Sequence, residues 1–223
     1  DAVRAAVDTA MREGFFNPSA LYAPAMAAEK EMRLCREEIL KQLHFPPGKV
    51  VFTGCGTESD NWALKGIAES YAAKGRHIVT SNVEHHAILH PCQWLEKQGC
   101  EVTYLPVDAE GKISAEQLRE AIRPDTVLVS IMFANNEIGT VNPIAELGAV
   151  CKEKGVLFHV DAVQAVGTLP IDVKAMNIDM LSMSAHKFYG PKGVGALYVR
   201  KGIRLPSFIH GGAQESRRRA GTE

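Results

Sequence analysis

Four short stretches carry side chains that could do chemistry together. In Ser182-Met183-Ser184-Ala185-His186-Lys187-Phe188-Tyr189-Gly190-Pro191 a lysine stands among small polar groups directly after an apolar run. A lysine amine in such a place can form a Schiff base with a carbonyl compound or with pyridoxal phosphate, although a lone lysine is more commonly solvated. In Phe158-His159-Val160-Asp161-Ala162-Val163-Gln164 an acid follows another apolar run, with an amide three residues on. Asp161 can hold a positively charged ring nitrogen, which turns the ring into an electron sink, or it can cap a following helix.

The loop Thr53-Gly54-Cys55-Gly56-Thr57-Glu58-Ser59 has glycines for a tight turn and a Thr57 hydroxyl at the opening of a helix. Free N–H groups at a helix start suit a phosphate, and an ordinary capped turn is the plain alternative. The loop lacks the third glycine of a dinucleotide fingerprint. Neither it nor Gly190-Pro191-Lys192-Gly193 has the spacing of a P-loop. In Val83-Glu84-His85-His86-Ala87-Ile88-Leu89-His90, His85 can lie over a planar ring or move protons near neutral pH; otherwise it is a capping or surface histidine. His86 and His90 are four apart, but without an H-E-x-x-H pattern or a third ligand no metal site is expected.

These stretches need a scaffold, and the hydrophobic pattern supplies one. Short β-branched runs predict strands at 49–52, 77–80, 102–105, 127–132, 156–160, 180–183 and 194–199. Helical patterns at 59–73, 87–98, 115–122 and 144–154 alternate with them, and a longer helix at 25–43 precedes the first strand. The reading is an α/β fold: a mostly parallel, seven-stranded sheet with helices on both faces. Ligands of such sheets bind beyond the carboxyl ends of the strands, where all four stretches lie. No repeat, low-complexity segment or linker interrupts the chain, and Pro46-Pro47-Gly48, Gly190-Pro191-Lys192-Gly193 and Gly211-Gly212 read as turns.

The 223 residues are 46% hydrophobic and 23% charged, as in one globular domain, which excludes a disordered chain. The longest mainly apolar run, 127–134, falls short of the roughly 18 residues of a spanning helix. With no signal-peptide layout in residues 1–30, a cytoplasmic protein is the default expectation. The formal net charge of −1, from 25 basic and 26 acidic residues, gives no general attraction to nucleic acid or an anionic membrane. Arg217-Arg218-Arg219 is a local basic cluster only. Cys35, Cys55, Cys92, Cys100 and Cys151 are odd in number and form no C-x-x-C pair, so they are expected as free thiols in small apolar roles, with Cys55 the candidate exception.

Together Thr57-Glu58-Ser59-Asp60-Asn61, Glu84-His85, Asn135-Asn136-Glu137-Ile138-Gly139, His159-Val160-Asp161-Ala162-Val163-Gln164, Ser184-Ala185-His186-Lys187, Tyr189-Gly190-Pro191-Lys192-Gly193 and Gly221-Thr222 resemble the cysteine desulfurases. These belong to the class V group of pyridoxal-phosphate enzymes, which also holds the selenocysteine lyases. The resemblance runs over nearly the whole chain, in order and in spacing. It implies the large, cofactor-binding domain of a fold type I pyridoxal-phosphate transferase over residues 1–223, with the small carboxyl-terminal domain outside this chain. Lys187 would bind pyridoxal 5′-phosphate covalently, Asp161 would pair with its ring nitrogen, and Gln164 and Asn136 would contact its ring oxygen side. His85 would stack on the ring and assist proton transfer. Gly56, Thr57, Ser184 and His186 would bind the phosphate, and Thr222 would reach the phosphate of a neighbouring subunit, implying a homodimer.

The implied reaction turns L-cysteine into L-alanine and leaves the sulfur as an enzyme persulfide for a sulfur acceptor or iron–sulfur scaffold protein. In the family the persulfide-forming cysteine and the arginine for the substrate carboxylate lie beyond Glu223, so the 223 residues alone are expected to lack turnover. The chain departs from the family in starting inside its first helix and in carrying Cys55 and Gly56 where glycine and alanine are common. A selenocysteine lyase, a non-catalytic sulfur-pathway binding module and a nucleic-acid binder are the rival readings.

Overall fold

A computed structural model describes residues 1–44 and 47–223. Pro46, part of one expected turn, lies outside the described residues. The elements run α1 (Ala2–Glu13), α2 (Ala23–Gln42), β1 (Gly48–Thr53), α3 (Gly56–Ser70), β2 (His77–Ser81), α4 (His86–Lys97), β3 (Glu101–Leu105), α5 (Ala115–Ala121), β4 (Thr126–Met132), α6 (Ile144–Lys154), β5 (Leu157–Asp161), β6 (Met180–Ser184) and β7 (Gly195–Arg200). A short 3₁₀ turn, Ala185–Lys187, follows β6, and Gln214–Arg217 forms a single distorted turn near the end.

Among the described residues the seven strands make one sheet in the order β1-β7-β6-β5-β4-β2-β3. Strands β2 to β6 pair in parallel, while β7 runs antiparallel to both β6 and β1. The expected mostly parallel sheet is therefore present, with one reversed strand. Strands β2, β4 and β6 are buried along their whole length, as parallel strands covered on both faces must be.

Alternation of side chains divides the core in two. One face turns Val79, Val129, Ile131, Phe158, Val160 and Leu181 toward Leu147 and Val150 of α6. The other turns Ile78, Leu128, Met180 and Leu197 toward Trp62 and Ile67 of α3 and Ile88 of α4. Trp62 is fully enclosed and donates its Nε1 proton to the Pro206 carbonyl at 2.9 Å. Removing a ring so placed costs about 3–5 kcal/mol. α3 thus lies across the middle of the sheet, touching β1, β4, β5, β6 and β7.

Two elements differ from the sequence reading. α3 begins at Gly56 rather than at residue 59, because the Ser59 N–H already bonds back to the Cys55 carbonyl at 3.2 Å and closes the first turn. α1 is not among the helices that the hydrophobic pattern predicts, although the resemblance has the chain start inside a helix. It has no buried residue, so no core contact is written into its pattern. No helix is long and apolar enough to cross a membrane among the described residues.

Candidate active site

The carboxyl ends of β1, β2, β4, β5 and β6 open onto one cavity of about 470 Å³. Each of these ends releases a loop that brings a candidate side chain to the same space.

From β1, Thr53 Oγ1 binds the Cys55 carbonyl at 3.1 Å and Ser59 Oγ at 2.8 Å, folding the loop onto α3. Gly54 N donates to Glu58 Oε2 at 2.7 Å. No side chain caps α3, so the N–H groups of its first turn stay open beside Cys55, Gly56 and Thr57, which line the cavity. A Cβ on Gly56 would fall 2.6 Å from Val163 Cγ2, so the loop touches the segment after β5 only because this residue has no side chain.

From β2, His85 is both a helix cap and part of the cavity wall. Its Nδ1 accepts from Ala87 N at 3.1 Å, capping α4, while the exposed ring lines the cavity. With Nδ1 an acceptor, the neutral ring keeps its proton on Nε2. Glu84 beside it is buried. Its Oε1 accepts from Ser81 Oγ at 2.6 Å and from Met132 N at 3.0 Å, tying the end of β2 to β4. Burial pushes the Glu84 carboxyl up to about 8, against the pull of these two donors.

From β4 comes the Asn135-Asn136 turn. Asn135, whose role was not expected, shapes it: its Oδ1 accepts from Glu137 N at 2.8 Å and Ile138 N at 3.1 Å, and its Nδ2 donates to the Val83 carbonyl at 3.0 Å. Asn136 lines the cavity and donates to Glu137 Oε1 at 2.6 Å.

From β5, Asp161 is 5% exposed. One carboxylate oxygen, Oδ1, accepts from Val163 N at 2.9 Å; this closes a turn and not the expected helix cap, since among the described residues no helix stands between β5 and β6. Burial raises the Asp161 carboxyl above its ordinary value, opposed by the Val163 hydrogen bond and by His85. No ion pair involves Asp161 among the described residues. Gln164 lines the same wall. From β6, Ser184 Oγ and His186 Nδ1 lie 3.0 Å apart on the cavity rim, and Lys187 follows at the end of the 3₁₀ turn, exposed and lining the cavity.

Nine of the ten expected site residues therefore border one space. Thr222 does not; it is exposed. Asp60, one helical turn beyond Thr57, lines the cavity without having been expected there; the i, i+3 spacing from Thr57 was the available signal. The rings of His86 and His90 stand 4.9 Å apart, and no cluster of three metal-ligating side chains occurs among the described residues. All five cysteines are free; Cys92 and Cys151 are buried, Cys35 is exposed, and Cys55 and Cys100 are half-buried.

The mixed seven-stranded sheet with helices on both faces is the fold type I architecture. The chain belongs to the aminotransferase class-V family, whose model matches residues 2–221. It is 58% identical over 211 residues to the cysteine desulfurase IscS of Clostridium botulinum (strain Kyoto / Type A2), covering 95% of this chain and 53% of that protein. It is 57% identical over 213 residues to the cysteine desulfurase IscS of Methanosarcina thermophila, covering 96% and 53%. Among solved structures, a NifS-like protein matches with a TM-score of 0.96 at 41% identity, over 100% of this chain and 62% of that one. A structure described as SspA in complex with cysteine matches with a TM-score of 0.96 at 45% identity, over 100% and 65%. The chain spans about half the length of the curated relatives it matches.

Proposed function

We propose that residues 1–223 are the cofactor-binding large domain of a pyridoxal-phosphate-dependent cysteine desulfurase. The reaction is L-cysteine plus an enzyme thiol giving L-alanine plus an enzyme persulfide: the substrate C–S bond breaks, an S–S bond forms, and the carbon takes a proton. The observation that carries this reading is the convergence of Lys187, Asp161, His85 and the open start of α3 on one cavity. The relatives carry the cysteine desulfurase name, which favours cysteine over the selenocysteine alternative.

The residues fit the group in size and in charge. About 470 Å³ falls in the small-ligand range of roughly 300–1,000 Å³. The α3 start, Ser184 and His186 offer hydrogen-bond donors suited to a phosphate, and Asp161 offers a buried acid that lacks a cation. When bound, pyridoxal 5′-phosphate supplies an electron sink that acidifies the Cα proton of the amino acid.

The chain's own residues do the rest. Lys187 would hold the group covalently, and its free amine would be a base for the Cα proton. Asp161, placed by β5 with one oxygen already taken by Val163 N, offers its other oxygen to the ring nitrogen. His85, held by Ala87 N, would stack its ring on the group and offer Nε2 for proton transfer. Gln164 and Asn136 supply amide donors to the ring oxygen. The exposed Thr222 is assigned to a neighbouring subunit's phosphate in a homodimer, and a sulfur acceptor such as an iron–sulfur scaffold protein is the assigned partner, in the cytoplasm.

The test has two parts. The chain mixed with pyridoxal phosphate turns yellow, and borohydride fixes the adduct. A full-length family member containing these residues then forms alanine from L-cysteine in step with enzyme-bound sulfur. A colourless chain, or alanine formed only from selenocysteine, overturns the reading.

A further inference from the structure

Three carboxyl side chains meet beneath the cavity, and the reading above uses one of them. Asp60 is 1% exposed and lines the same cavity as Asp161. Its Oδ1 has no hydrogen-bond partner among the described residues. The neighbouring His159 Nε2 stands 3.7 Å away, too far for a hydrogen bond.

His159 is fully enclosed between two hydroxyls. Its Nδ1 lies 2.8 Å from Ser130 Oγ and its Nε2 2.9 Å from Ser182 Oγ. The sheet register sets this trio, since Ser130 pairs with His159 across β4 and β5, and Ser182 sits beside Asp161 across β5 and β6. A buried ring held by two neutral partners stays neutral, and burial takes His159 down to about 3. Around Asp60 stand Asp161 and His159 from β5, Ser182 from β6, Glu84 from the end of β2, and Cys55 from its own loop. None of these is a cation at neutral pH. Burial and then the Asp161 charge push the Asp60 carboxyl well above its ordinary range, against the pull of the Ser182 hydroxyl.

Resting on the cofactor reading above, we propose that Asp60 is a positioning residue for Asp161: it carries a proton, packs against His159, and leaves Asp161 as the acid that ionises against the cofactor's ring nitrogen. One positive nitrogen balances one buried carboxylate, whereas a second carboxylate in the same dry space would be left uncompensated. The carboxyl of Asp60 then works as a neutral polar wall behind Asp161. An amide can reproduce it; a methyl group cannot.

Infrared difference spectra of the cofactor-free chain and its Asp60→Asn variant at neutral pH are the direct test. Loss of a protonated-carboxyl band is the expected result, and loss of a carboxylate band instead overturns the proposal. Titration with pyridoxal phosphate gives the second arm. Asp60→Ala weakens binding about tenfold and Asp60→Asn restores it to within about twofold of the parent. An asparagine no better than alanine, or an alanine without effect, also overturns the proposal. If Asp60→Ala does not fold, the infrared comparison decides. A parent chain that binds no pyridoxal phosphate fails the functional reading, and the infrared result separates that failure from an error about the Asp60 proton.

Discussion

Glu58 and Arg219, 161 positions apart, are joined by two hydrogen bonds, from Arg219 Nε to Glu58 Oε1 and from Nη2 to Oε2. The same Glu58 Oε2 accepts from Gly54 N at 2.7 Å. One carboxylate thus fixes the phosphate-side loop and returns the last segment of the chain to it. A second clasp lies nearby, where Arg36 of α2 reaches Glu215 at 2.9 Å and Glu215 accepts from Phe52 N at 3.0 Å. The basic cluster 217–219 therefore spends one of its three charges inside the fold.

Arg219→Ala should lower stability by roughly 1–2 kcal/mol, since the lost bonds are charge-assisted but partly exposed. Amide exchange should speed up at Gly54 and in the segment after β7. Denaturant unfolding with hydrogen exchange checks this, and an unchanged pair of measurements would contradict the clasp.

Lys187→Ala should leave no borohydride-stable cofactor adduct, because Lys187 is the lysine on the cavity. Peptide mass spectrometry of the parent should find the reduced adduct at Lys187. An adduct on Lys192 or Lys65 would reassign the anchor.

Asp161→Asn keeps the Val163 hydrogen bond available but removes the charge that holds a positive ring nitrogen. In a full-length version turnover should fall much further than cofactor content. Equal losses in both would make Asp161 a binding residue alone.

Gly195→Ala should loosen the phosphate side by crowding the Cys55 carbonyl and Thr53 Oγ1. A Cβ at 195 would lie 2.6 Å from the Cys55 carbonyl carbon and 2.8 Å from its oxygen, so the loop backbone must move. Binding of pyridoxal phosphate should weaken about tenfold or more, the order expected for lost placement of charge-assisted bonds. Isothermal titration reads it, and parent-like affinity would show that the loop yields at no cost.

The fifth prediction concerns pH. Glu84 in the folded chain ionises only near 8, above its ordinary 4.5. A carboxyl raised on folding contributes stability that is fully present below about 4.5 and is lost as pH rises through about 8. Glu84→Gln keeps an oxygen to accept from Ser81 and Met132 but does not titrate. The fall in melting temperature between those two pH values should therefore be smaller in the variant than in the parent; equal slopes would show that Glu84 is already ionised when folded.

Hydrophobic pattern and residue type were enough to read the alternation of elements and the residues worth watching. Strand runs such as 127–132 and helices such as 144–154 were legible because burial on both faces forces unbroken apolar runs and a covering helix forces a 3.6-residue period. Asp161, Lys187, His85 and the glycine loop were legible because each follows such a run. The direction of β7 was not, since periodicity is the same for parallel and antiparallel strands. Nor was α1, which buries nothing. That Asp60 and His159 share one buried space with Asp161 was illegible in the pattern, because it depends on α3 crossing the sheet over β5 and on the register that sets Ser130 and Ser182 beside the ring. Local pattern records which face of an element is buried. Which residues of distant elements meet on that face is settled by packing.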